Sequence, residues 1–157
     1  MKLAKQIFDI GYFFRALQVQ MRFGDLSRAP LQLLRLELKG KCAECEWIAR
    51  GADDWDEVIP AHVSESHIST QALKDAIDVR EMLFGSLPGV DTALLRVFRQ
   101  SAAGSRELII TGTVARDQPP AGHVTSLAMR AKLLGLQFTL ADGFLESVQS
   151  EEYAMTF

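Results

Sequence analysis

The chain has 157 residues, of which 48% are apolar and 24% charged, and its net charge is −3. That is about one domain's worth of chain with ample material for a core, which excludes a disordered polymer, and the acidic balance argues against nucleic acid as a partner. No run of about 18 uncharged apolar residues occurs, so no transmembrane segment is expected.

Charge is unevenly spread. Residues 1–50 carry a net +4, residues 51–91 a net −7, and residues 92–157 none. Asp9 interrupts the apolar start MKLAKQIFDIGYFF and no small-residue cleavage site follows, so no signal peptide is expected. Two cysteines give no disulfide framework, which fits a reducing, cytoplasmic location.

In chain order, Leu3 to Arg22 reads as a helix. At about 100° per residue, Leu3, Ile7, Ile10, Phe14, Leu17 and Met21 share one arc, while Phe8, Tyr12 and Val19 gather on nearly the opposite side. A single sheet covers one side of a helix, so the second group predicts burial against another part of the fold or against another chain, making this helix the expected interface of a homo-oligomer. Met21 is an alternative start, which would make residues 1–20 an upstream extension.

Leu31 to Arg50 predicts a hairpin: Leu34, Leu36 and Leu38 alternate with Arg35, Glu37 and Lys39, and Ala43, Cys45, Trp47 and Ala49 alternate with Cys42, Glu44 and Glu46. Lys39-Gly40 supplies its turn. Gly51 to His67 reads as an acidic loop, and Thr70 to Phe84 as a second helix ended by Gly85.

Strands are expected at Thr92–Gln100 and Glu107–Arg116, the second with apolar or β-branched residues on both faces, as in a central strand. Gly112 within it predicts a bulge or a close backbone approach. Pro119-Pro120 ends the strand. A third helix, Gly122–Leu134, leads through Gly135 to a strand at Leu136–Ala141, and Asp142-Gly143 predicts a hairpin pairing Leu140 with Leu145.

The order αββαββαβ predicts an α+β two-layer sandwich over residues 1–157, with a largely antiparallel sheet and the helices on one face. By element order and the fragment LIITGTV at 108–114, Gln71 to Val148 loosely resembles the helix–strand–strand–helix–strand core of BON domains, modules associated with membrane-surface binding. Many α+β domains share that order, and no family is adopted from it.

Cys42-Ala-Glu-Cys45 followed by His62 and His67 is the sharpest motif, a C-x2-C-x16-H-x4-H set whose thiolates and imidazoles suit tetrahedral zinc. Its long middle spacing falls outside the usual window, and residues three apart on a strand point to opposite faces, so Cys42 and Cys45 are expected not to chelate. Thus no metal and no cofactor is expected. Arg80 lies inside the apolar arc of the second helix, where an unpaired charge is costly. It predicts either a buried structural partner or a ligand-binding, anion-holding Arg at a cleft. Asp53, Asp54, Asp56 and Glu57 around Trp55 lack the EF-hand spacing and read as a solvated loop. His62, His67 and His123 are the only histidines, and neither a nucleophile elbow, a Walker loop, a dinucleotide fingerprint nor H-E-x-x-H is present. No catalytic residue is assigned, and the expectation is a non-catalytic domain working through protein–protein contact or self-association.

Overall fold

The structure is a computed structural model that describes residues 2–20, 31–51, 60–100, 104–118 and 124–148, giving the backbone alone for residues 2–8, 20, 61 and 62. The order is α1 (Lys2–Gln20), β1 (Gln32–Lys39), β2 (Cys42–Ile48), α2 (Ala61–Ser86), β3 (Thr92–Gln100), β4 (Arg106–Ala115), α3 (Leu127–Leu133), β5 (Leu140–Ala141) and β6 (Phe144–Leu145). The composition is α+β, with a four-stranded sheet ordered β1-β2-β3-β4 and a separate two-stranded sheet of β5 and β6.

Alternation builds the first hairpin. Ala43, Cys45 and Trp47 are buried while Cys42, Glu44 and Glu46 between them are only half-buried. Lys39 pairs with Cys42 across Gly40, whose φ of 62° is the left-handed value that a two-residue turn needs at its first position. The expected face of β1 needs one correction. The register shifts between Leu33 and Arg35, so Leu33 stands opposite Trp47 and Leu36 opposite Cys45. A β-bulge at Leu34 reverses the parity of the strand, and Leu33 joins Leu36 and Leu38 against the core.

The sheet is mixed. β1–β2 and β3–β4 are antiparallel, but β2 and β3 run parallel, with Cys42 beside Thr92 and Ile48 beside Phe98. The physical reason is the connection: α2 crosses the face and returns the chain to the end at which β2 began. α2 starts at Ala61, well before the expected Thr70, so Ala61–His67 are helix rather than loop. Pro60 stands directly before it, where a fixed φ and a missing N–H do no harm.

The buried residues form one cluster. Trp47, Leu95, Val97, Ile110 and Val114 from the sheet meet Ala72, Leu73, Ala76, Val79 and Leu83 of α2, with Phe13 and Leu17 of α1 and Ala131 of α3 added. Each large apolar side chain buried here contributes about 1.5–3 kcal/mol. On α1 the buried stripe is Phe13 and Leu17, whereas Phe14, assigned from periodicity to the main stripe, is 40% exposed.

β4 is the last strand of its sheet, not a central one. Thr111 and Gln137 exchange both backbone hydrogen bonds, at 3.1 and 2.6 Å, and Val148 N–H donates to Leu108 O at 2.6 Å, so the edge is covered by the following chain. This contact accounts for Gly112: a Cβ there would stand 2.3 Å from the Gly135 carbonyl oxygen, the close approach expected from the sequence. Of the strand expected at Leu136–Ala141 only Leu140–Ala141 pairs regularly, with Leu140 opposite Leu145 as the Asp-Gly turn implied. Pro119-Pro120 and residues 122 and 123 of the expected third helix lie outside the described residues.

Candidate functional site

The zinc motif is split by the sheet. Cys45 is fully buried on the helix-facing side of β2, and Cys42 is half-buried on the other side. Burial pushes the Cys45 thiol up to about 12, with the neighbouring Glu46 charge adding to the rise. His67 sits on α2; the His62 side chain, His123 and the acidic group Asp53, Asp54, Trp55, Asp56 and Glu57 lie outside the described residues.

Arg80 is buried, 3% exposed, where α2 passes the end of β4. One terminal nitrogen donates to the carbonyl oxygens of Ala115 and Gln118, at 2.7 and 2.9 Å, and the other pairs with Glu81. Its guanidinium lies 5.3 Å from the Phe84 ring centre, and Arg116 lies 5.0 Å from the same ring. Arg116 donates to Val90 O at 2.8 Å and Leu87 O at 2.7 Å. Two guanidinium groups and one ring thus fasten the C-terminal part of α2 to the β4 exit through charge-assisted bonds to carbonyls. These partners favour the structural reading of Arg80 over the anion-holding one.

A second buried charge cluster was missed in the sequence. Arg50, just past β2, donates from Nε to Asp75 Oδ2 at 2.7 Å, and Gln71 Nε2 donates to Asp75 Oδ1 at 2.9 Å. Arg50 and Asp75 side chains are 1% and 4% exposed. Burial pushes the Asp75 carboxyl up from its ordinary range, opposed by the hydrogen bond and charge of Arg50. Asp78, one turn on, is also raised, by burial first and by the Asp75 charge second. The signal was available: on a wheel Asp75 falls beside Ala72 and Val79, so the test that singles out Arg80 singles out Asp75 too.

The outer face of the sheet carries a third group. Glu46 accepts from Arg96 at 2.5 Å and Arg35 at 3.2 Å, and Glu44 accepts from Arg35 at 2.6 Å and lies 3.2 Å from the Lys39 ammonium. Lys39, then the nearby arginines, hold the Glu44 carboxyl below its usual range against the effect of burial.

Apolar surface is left uncovered in two places. On α1, Tyr12 is 52% and Val19 77% exposed, on the side of the helix away from buried Phe13 and Leu17. The Phe8 side chain, grouped with them from the sequence, lies outside the described residues. On α3 and β5, Met129, Leu133 and Leu140 are 50%, 48% and 39% exposed. A cleft of about 400 Å³ opens nearby, lined by Lys132, Leu136, Gln137, Phe138, Thr139 and Val148; the Lys132 ammonium already lies 5.3 Å from the Phe138 ring centre.

No helix of the described residues is long and apolar enough to cross a membrane. Comparison with known protein families, with curated proteins and with solved structures finds no match.

Proposed function

We propose that the protein is a cytoplasmic, non-catalytic α+β domain that acts through protein–protein contact, as a homo-oligomer joined by α1. The observation that carries this is the helix itself. α1 buries Phe13 and Leu17 against its own chain and leaves Tyr12 and Val19 more than half exposed. Apolar side chains grouped in this way on a surface helix favour association. The charge clusters support a non-catalytic reading, since Arg80, Arg116 and Asp75 hold one element to another through their own partners.

The test is sedimentation velocity across a concentration series, on the full chain and on a Tyr12→Ser/Val19→Ser variant. Both positions are exposed, so the melt should stay within about 0.5 kcal/mol of the parent, while the associated fraction falls. A full chain that sediments as a monomer at high micromolar concentration sinks the proposal.

A further inference from the structure

The free edge of the main sheet carries an inference that involves a different surface. β1 ends the sheet on one side, and its backbone bonds run to β2 alone; among the described residues nothing pairs with its other edge. Lys39 and Cys42 flank a two-residue turn and so form a hydrogen-bonded pair, as do Glu37 with Glu44 and Arg35 with Glu46, every second residue along the ladder. The backbone groups of Leu38 and Leu36 therefore point outward. Leu33, Leu34, Leu36 and Leu38 are all only half-buried, so this edge leaves apolar surface as well as backbone groups unsatisfied.

Edges like this are usually blunted by a bulge or by charges, and β1 has both. Its charges, however, are arranged as their own complement. We propose that β1 pairs antiparallel with β1 of a second copy about a two-fold axis at Leu36, joining two sheets into one of eight strands. In that register the two Leu36 residues exchange both backbone bonds. Arg35 faces Glu37 of the second copy, and Glu37 faces Arg35 of the second copy, in the close, non-hydrogen-bonded kind of pair where side chains interact most. On the other face the two Leu36 side chains meet. Moving the axis to Glu37 would instead set the two Glu37 side chains against each other and Arg35 against Lys39, which like-charge repulsion disfavours. The same charges that deter a random strand thus select one register of self-pairing. A two-fold interface of this kind closes on itself and does not run on into fibres.

This rests on the reading of the protein as self-associating but not on α1, and the two can fail separately. The experiment measures sedimentation, together with amide hydrogen exchange at Leu36 and Leu38 across a concentration series, for the full chain, Glu37→Arg and Tyr12→Ser/Val19→Ser. Glu37 is exposed and pairs with Arg35 of its own strand; in the variant Arg35 loses that partner but keeps Glu44 and Glu46, and the melt of each variant checks that the fold is kept. In the full chain both amides should gain protection as concentration rises, and Tyr12→Ser/Val19→Ser should leave that gain in place. Glu37→Arg sets like charges against each other twice, and should weaken the pairing by about tenfold or more and abolish the gain. Concentration-independent exchange at Leu36 and Leu38 in the full chain, or undiminished association in Glu37→Arg, overturns the edge pairing. Loss of association in Glu37→Arg with none in the α1 variant overturns the α1 reading alone.

Discussion

α2 is fastened to the sheet at two places, near opposite ends of the strands, and the two fastenings use different chemistry. Past β2, Arg50 meets Asp75 with Gln71 alongside, charge against charge and both nearly sealed from water. Past β4, Arg80 and Arg116 donate to main-chain carbonyls and flank the Phe84 ring. The difference teaches what each can lose. Removing one member of a buried ion pair takes away an opposite charge that water cannot replace, whereas removing Arg80 leaves two carbonyls and the exposed Glu81 carboxylate, which water near the surface can reach.

The comparison can be broken by three substitutions. Asp75→Ala should be the most damaging, costing about 3–5 kcal/mol in denaturant melts because it removes the buried carboxylate to which Arg50 and Gln71 both donate. A loss under about 1 kcal/mol would mean that Asp75 does not hold α2 to the end of β2. Arg80→Ala should cost about 1–3 kcal/mol, through the Ala115 and Gln118 carbonyls and the lost stacking on Phe84. If it exceeds Asp75→Ala, the ranking of the two fastenings is reversed. The smallest effect belongs to Asp78, which lies on α2 between them. Its carboxyl is raised in the folded state by burial and by Asp75, so the folded chain favours the protonated acid, and that contribution to stability is lost as pH rises through the raised value. Asp78→Asn should therefore gain on the parent between about pH 4 and pH 7, and gain less in an Asp75→Asn background, where one cause of the shift is gone. Parallel stability profiles for parent and variant across that range would show that the group is not raised.

Much of this architecture was legible in period-2 and turn chemistry. β3 was read with its observed ends, the Lys39–Cys42 turn and the Leu140–Leu145 pair follow from Gly40 and Asp142-Gly143, and the opposed faces of Cys42 and Cys45 follow from alternation. What stayed hidden depends on long-range contacts. Nothing local to Leu34 announces a bulge. Ala61–His67 show no apolar stripe, and the buried side chain there is the polar Ser64, so the helix extends through residues whose composition reads as loop. The parallel pairing of β2 with β3 depends on where α2 delivers the chain, and the cover that Gln137 and Val148 give to the edge of β4 from outside the sheet depends on later chain. Of the charged residues, Arg80 was found because it interrupts an apolar arc. Asp75 interrupts the same arc but stands out less, beside the small side chains of Ala72 and Ala76.

The parallel seam has a consequence in time. β1–β2 closes over a two-residue turn and β3–β4 over a short loop, and hairpins of this kind form in about 1–10 μs. The seam between them joins residues such as Glu46 and Arg96, separated by 50 positions. Its backbone bonds form only after a long loop has closed, and α2 must lie across the face before that closure is rewarded. The sheet is thus two quick local pieces and one slow join, with the Glu46–Arg96 ion pair set across the join itself.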